Sequence, residues 1–145
     1  QAKKLGLDDI VTFAPPIPTR DALCEQSTAD ALLLFHKEPF ANPQTATLSE
    51  YLRIGRPIFA LVGEQGDTAA LLRETGGAVL APMDDVDAIA TALTVFVQDL
   101  RNGRAPVAVQ TTVARYSRAY GAASLANLLD HVTTGSAADR ASASH

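Results

Sequence analysis

The sequence contains no tryptophan and only one cysteine among its 145 residues. A single cysteine, Cys24, cannot form an internal disulfide, and no cysteine pair or cluster of histidine and cysteine has the spacing of a structural metal site. Cys24 follows Leu23 in a predicted helix, which indicates a packing role for the thiol. These absences favour a reducing, cytoplasmic setting and predict that no metal is bound.

Positive charge and long apolar runs are also scarce. The chain has 12 lysines and arginines against 16 aspartates and glutamates, a formal net charge of −4. Such a balance argues against nucleic acid and against an anionic membrane surface as partners. The longest apolar runs, such as residues 31–35, are far shorter than the roughly 20 residues that cross a bilayer, and no signal peptide opens the sequence. We therefore expect no transmembrane segment.

The remaining composition is that of a folded domain. Hydrophobic residues make up 47% and charged residues 19%, enough apolar surface to support one core. We predict one domain over residues 1–132 and a disordered tail over residues 133–145, where small and polar residues dominate. Residues 1–7 are typical of the last turn of a helix with Gly6 as its cap, which predicts that the N-terminal part of the domain is missing.

Apolar segments of strand length alternate with segments of helical periodicity. The pattern predicts strands over residues 10–13, 31–35, 57–62 and 78–81, and helices over residues 19–28, 45–54, 67–74, 86–100, 107–116 and 122–132. Uniformly apolar strands are typical of parallel sheets that are covered on both faces. The predicted fold class is therefore α/β, a Rossmann-like parallel sheet with helices on both faces, with ligands expected at the loops 14–19, 36–49 and 63–68.

One segment of this pattern carries a family resemblance. Residues 47–58, TLSEYLRIGRPI, resemble the stretch KLFEYLAAGRPI of group 1 retaining glycosyltransferases with the GT-B fold. Residues 5–7 and 11–13, residues 28–31 before the apolar strand, and residues 71–77 and 82–85 are similar to the same family in the same order, so the resemblance covers roughly Ala2 to Leu129. The resemblance implies the C-terminal, donor-binding half of a GT-B enzyme.

The resemblance also implies roles for individual residues. Glu50 would accept hydrogen bonds from the ribose hydroxyls of a nucleotide-diphosphate sugar. The backbone N–H groups of Thr47, Leu48 and Ser49 would face the diphosphate at a helix N-terminus. The loop Ala14, Pro15 and Pro16 would approach the nucleobase, although the family usually has glycine at the position of Ala14. The donor is a substrate, and neither a cofactor nor a metal is implied.

Two departures from the family pattern affect the predicted site. Many members have a second glutamate, against the transferred sugar, where this chain has Asn42, so Asn42 is the predicted donor-sugar residue. The family's phosphate-binding lysine is replaced by Thr47. The family's other basic phosphate ligands and its N-terminal acceptor-binding domain lie outside this chain, so the chain alone should not catalyse transfer. Any peripheral contact with a membrane would involve that missing domain.

Other interpretations stay open at this point. The chain could be a non-catalytic module that binds a nucleotide sugar, or part of a GT-B nucleotide-sugar epimerase, because fold alone does not define function. Glu50 could simply offset a helix dipole. His36 and Glu38 are expected to be solvated loop residues, and residues 63–67 resemble a phosphate loop only loosely. Arg115, Tyr116, Arg118 and Tyr120 are expected to pack against the missing domain.

Overall fold

The computed structural model describes residues 2–7, 9–36 and 46–142. Within them a parallel sheet contains strands β1 (Leu32–His36), β2 (Ile58–Val62) and β3 (Ala78–Ala81), in the order β1-β2-β3. The helices are α1 (Thr19–Thr28), α2 (Ala46–Ile54), α3 (Asp67–Thr75), α4 (Val86–Arg101), α5 (Gln110–Ala114) and α6 (Arg118–Ser142), and a short 3-10 helix spans Ala2–Leu5. The predicted α/β class with a parallel sheet is confirmed.

Two apolar cores explain why the central strand is buried at every position. Helices α2, α3 and α5 cover one face of the sheet, where Leu34, Ile58 and Leu72 belong to the larger core. Helix α4 covers the other face, and its Phe96 ring packs on the Phe59 ring with centroids 5.4 Å apart. A strand covered on both sides must be apolar throughout, and all five residues of β2 are buried.

The segment Gly55–Pro57 joins three elements by specific backbone contacts. Gly55 ends α2 with φ +72, a conformation that residues with a side chain rarely adopt. The Arg56 guanidinium donates hydrogen bonds of 3.0 and 2.7 Å to the carbonyl of Ser27 near the end of α1. The Pro57 carbonyl accepts a hydrogen bond of 2.8 Å from the N–H of Leu32 as β1 begins. These contacts set the position of α2 relative to the sheet.

The prediction of a buried strand over residues 10–13 was wrong. The N–H groups of Ile10 and Val11 instead donate to the Leu7 carbonyl in a local turn, and Ile10 and Phe13 are 80% and 82% exposed. β-branched and aromatic residues form a strand only when a neighbouring strand pairs with their backbone. The sheet ladders recorded for the described residues join β1 to β2 and β2 to β3, and neither includes this segment.

The C-terminal helices also differ from the prediction. Helix α5 is shorter than the predicted helix over residues 107–116, because residues 106–109 are not helical and the extended Val109 donates its N–H to the Thr75 carbonyl on α3 at 2.9 Å. Helix α6 begins earlier than predicted, at Arg118, and continues to Ser142 through most of the segment predicted to be a disordered tail. That stretch contains no proline and several alanines, the strongest helix formers.

The second face of β1 is incompletely covered. Leu33 and Phe35, which point toward the α4 side of the sheet, are 49% and 64% exposed, whereas Leu32 and Leu34 on the opposite face are buried. Helix α4 packs mainly over β2 and β3. Among the described helices, none combines the length and the apolar character needed to cross a membrane.

Candidate functional site

The carboxyl ends of the parallel strands and the beginnings of the following helices lie at one edge of the sheet. Ligands bind at this edge in sheets of this class, because helix N-termini and loops meet there. Two pockets of ligand size open among the described residues in this part of the molecule. One contains Glu50, and the other contains His36.

The Glu50 pocket, as we call it, has a volume of about 660 Å³. It lies between the first turns of α2 and the connection from α5 to α6. Its lining residues are Ala46, Ser49, Glu50, Arg53, Tyr116, Ser117 and Arg118. The pocket therefore combines one carboxylate with two guanidinium groups, a composition suited to a ligand with both hydroxyl and phosphate groups.

The Glu50 carboxylate is available to a ligand. Its side chain is partly buried, and among the described residues it forms neither a hydrogen bond nor an ion pair. Its charge acts on the neighbouring Tyr51, whose pKa is raised first by burial and second by Glu50. Glu50 is the fifth residue of α2, beyond the first turn in which a carboxylate interacts most favourably with the helix dipole. A dipole role alone does not explain this position.

Arg53 and Arg118 supply positive charge to the same pocket. Arg53 is one helical turn beyond Glu50 in α2, and Arg118 is the first residue of α6. Neither guanidinium has a carboxylate partner among the described residues. Two positive charges therefore lie in the pocket that Ser49 and Glu50 line.

The predicted diphosphate-binding residues form the first turn of α2. The Leu48 side chain is fully buried in the larger core and anchors the helix, whereas Thr47 and Ser49 are exposed. Ser49 also lines the Glu50 pocket. The structure therefore places this turn beside Glu50.

The other predicted site residues are not brought into this pocket. Ala14, Pro15 and Pro16 are exposed in the irregular segment before α1, and they line neither the Glu50 pocket nor the pocket that contains His36. Their role at the nucleobase stays a prediction. Asn42 and Glu38 lie outside the described residues, so their predicted roles are likewise untested.

Tyr116 is held at the edge of the Glu50 pocket by a partner on α3. Its hydroxyl donates a hydrogen bond of 2.5 Å to Oε2 of Glu74, and this bond is the main reason that the pKa of Tyr116 is raised. Sequence reasoning missed the contribution of Tyr116 and Arg118, because more than 60 residues separate them from Glu50 and no local pattern links them. Only the path of the chain through α5 brings them together.

The second pocket, which we call the His36 cavity, has a volume of about 930 Å³. Its lining comes from the carboxyl ends of all three strands and from the start of α4: His36, Val62, Gly63, Glu64, Pro82, Met83, Asp84, Asp85, Val86 and Asp87. His36 was expected in a solvated loop, but it is the last residue of β1 and is only 6% exposed. The alternation of Leu32, Leu34 and His36 on one strand face could have indicated this burial.

Neither similarity to known proteins nor a metal-binding arrangement among the described residues identifies a ligand for these pockets. No protein-family model, curated protein or solved structure matches this chain. Within residues 2–7, 9–36 and 46–142, no group of three or more histidine, cysteine, aspartate or glutamate side chains is arranged to hold a metal ion.

Proposed function

We propose that this chain is the nucleotide-sugar-binding domain of a retaining glycosyltransferase with the GT-B fold. The observation that carries the proposal is that one pocket contains the partly buried Glu50 carboxylate and two arginines, and that none of the three has an ion-pair partner among the described residues. The resemblance of residues 47–58 to the donor-binding stretch of that family supports the same conclusion. In the complete enzyme this domain would hold the donor while a second domain supplied the acceptor.

The ribose of a nucleotide matches the chemistry of Glu50. An ionised carboxylate has two oxygens that only accept hydrogen bonds, and adjacent hydroxyls of a ribose can donate to both. Hydrogen bonds to a charged group contribute about 1.5–3 kcal/mol each, more than bonds between neutral groups. Glu50 is partly buried, and its carboxylate has no hydrogen-bond or ion-pair partner in the described part of the chain, so it is suited to this interaction.

The diphosphate matches the surroundings of Glu50. Guanidinium groups form bidentate hydrogen bonds with phosphate oxygens, so Arg53 and Arg118 are suited to the two phosphates. The first turn of α2, which contains Thr47 and Ser49, adds backbone N–H donors and a favourable dipole. In this proposal the arginines take the place of the lysine that Thr47 replaces.

Isothermal titration of the protein with UDP, GDP and their sugar conjugates tests the proposal. We expect one nucleotide to bind and Glu50→Ala to weaken it by about tenfold to a hundredfold, from the loss of about 1.5–3 kcal/mol. The matched control is Glu25→Ala, which removes an exposed carboxylate from α1. Equal binding by the Glu50→Ala and Glu25→Ala proteins would contradict the assignment of Glu50.

A second comparison isolates the phosphate contacts. Arg118→Ala should weaken binding of the nucleoside diphosphate but leave binding of the corresponding nucleoside almost unchanged, because only the diphosphate has negative charge for the guanidinium to bind. Added salt should reduce the difference. Equal losses for nucleoside and nucleotide would assign Arg118 a structural role instead. Binding without transfer in the complete protein would favour the non-catalytic alternative.

A further inference from the structure

The His36 cavity contains a buried polar atom that no described residue satisfies. His36 is 6% exposed, and its Nε2 atom has no hydrogen-bond partner among the described residues. A buried donor or acceptor left without a partner costs about 1–3 kcal/mol. Because the ring lines a cavity of about 930 Å³, a molecule in that cavity can satisfy Nε2.

The other ring nitrogen determines which kind of partner Nε2 requires. Nδ1 lies 2.6 Å from Oγ1 of Thr68, and Thr68 is only 1% exposed. The ring nitrogen is the only partner of that hydroxyl among the described residues, so the hydroxyl proton is satisfied only if Oγ1 donates to Nδ1. In the neutral ring the proton then resides on Nε2. Nε2 is therefore a hydrogen-bond donor, and its partner must be an acceptor.

The charges around the cavity restrict that acceptor. Glu64, Asp84, Asp85 and Asp87 line the cavity, and no lysine or arginine does so among the described residues. Of these carboxylates, Asp85 already accepts a hydrogen bond of 2.9 Å from the Ala88 N–H, and the others have no ion-pair partner in the described part of the chain. A phosphate or carboxylate ligand would be repelled by this arrangement.

Cationic ligands fit no better. A metal ion would need Nε2 unprotonated, which would move the ring proton to Nδ1 and leave the Thr68 hydroxyl proton without an acceptor among the described residues. An ammonium group has donors only, so it cannot accept the Nε2 hydrogen. A neutral hydroxyl group, in contrast, accepts from Nε2 and donates to a carboxylate, and several hydroxyls on one molecule do both. Val62, Met83 and Val86 provide apolar surface for the carbon skeleton of such a molecule.

We propose that the His36 cavity binds a neutral polyhydroxylated small molecule, such as a monosaccharide or a cyclitol, through the N–H of His36 and the carboxylates of Glu64, Asp84 and Asp87. This site is separate from the Glu50 pocket and does not depend on nucleotide binding there. The proposal makes His36 a ligand-binding residue and Thr68 a positioning residue that fixes its tautomer.

The tautomer is tested first, by long-range nitrogen–hydrogen NMR correlation on the labelled protein. We expect His36 to show a protonated Nε2 and an unprotonated Nδ1. Glucose, mannose and myo-inositol are then titrated at millimolar concentration, and the His36 ring resonances are expected to shift in a saturable manner with at least one of them. A His36 ring protonated on Nδ1 alone would overturn the proposal. The absence of a saturable shift with any of the three compounds would overturn it as well, because it would show that the cavity holds only water.

Matched variants separate a specific site from the general stabilising effect of polyols on proteins. His36→Asn keeps an acceptor for Thr68 close to the position of Nδ1 but lacks Nε2, so the fold should persist while polyol affinity falls by about tenfold. Asp84→Asn should also weaken binding, whereas Glu25→Gln should not. Unchanged affinity in the His36→Asn protein overturns the proposal. UDP titration of the same variant should be unaffected, so failure here is distinguishable from failure of the nucleotide site.

Discussion

Gly77 should be intolerant of even one added carbon atom. It precedes β3, and its carbonyl accepts a hydrogen bond of 3.1 Å from the Ile58 N–H. A Cβ atom at this position would lie 2.5 to 2.6 Å from the N, Cα and Cβ atoms of Ala108. These are mainly backbone atoms of a buried residue, so no flexible side chain can move aside. The extended segment that carries Ala108 would have to shift away from the sheet.

The cost of Gly77→Ala follows from what that shift disrupts. Overpacking of a close contact costs about 1–3 kcal/mol. Loss of the hydrogen bond from Val109 to Thr75 would add about 0.5–1.5 kcal/mol. We therefore expect the free energy of unfolding to fall by about 2–4 kcal/mol, a large part of the 5–15 kcal/mol typical of a domain.

Urea unfolding with and without the substitution measures this change, as a lower midpoint at an unchanged slope. Gly63→Ala is the matched control, because a Cβ atom there would meet nothing within 4 Å and its φ is not left-handed. The control should stay within about 0.5 kcal/mol of the unsubstituted protein. If Gly77→Ala were as stable as Gly63→Ala, the close approach of the two backbones would be refuted.

Three further predictions concern side chains near the two pockets. Thr68→Val should lower the free energy of unfolding by about 1–3 kcal/mol in urea titrations, since His36 Nδ1 loses its buried partner; an unchanged midpoint would contradict that hydrogen bond. Asp85→Ala should cost about 0.5–2 kcal/mol by removing the cap of α4, and Asp85→Ser should recover most of it; equal losses would exclude capping. The raised pKa of Tyr51 stabilises the fold below pH 10.0, and this contribution is lost as pH rises through the folded-state pKa. The pKa of Tyr51 can be measured by phenolate absorbance in a protein whose other two tyrosines are replaced by phenylalanine. Glu50→Gln should lower this pKa only partly, because burial is the larger cause. An unchanged pKa would show that the Glu50 charge does not act on Tyr51.

Much of the sheet could be predicted from the sequence because burial on both faces leaves a clear pattern. Strand β2 is apolar at every position, and β3 was predicted with the bounds that the structure shows. The pattern failed at residues 10–13, where apolar content suited a strand but strand formation depends on a partner that no local sequence reveals.

The candidate sites were predictable only where one segment carries the information. Glu50 was identified from its own neighbourhood, residues 47–58. Arg118 was not, because its place beside Glu50 depends on the path of the chain over α3 and through α5. His36 was misassigned to a loop although its alternation with Leu32 and Leu34 indicates burial; its hydrogen bond to Thr68, 32 residues away on α3, has no signal in the local pattern. Contacts between distant residues are set by tertiary packing, and periodicity does not encode them.

Some residues of the segment 47–58 have a clear structural role, and others do not. Leu48 and Leu52 are core residues, Gly55 ends a helix, and Arg56 bonds to the Ser27 carbonyl. Packing therefore accounts for most of the pattern without any ligand.

Packing does not account for Glu50 and Arg53, which have neither an ion pair among the described residues nor a place in the buried core. A partly buried carboxylate loses solvation, and no hydrogen bond from residues 2–7, 9–36 or 46–142 offsets that loss in Glu50. A structural origin for the whole segment would predict that Glu50→Leu stabilises the protein at no functional cost. The nucleotide-binding hypothesis predicts that this substitution leaves stability unchanged or increases it while nucleotide affinity is lost. Calorimetry with the nucleotide and urea unfolding of the same variant would separate the two explanations.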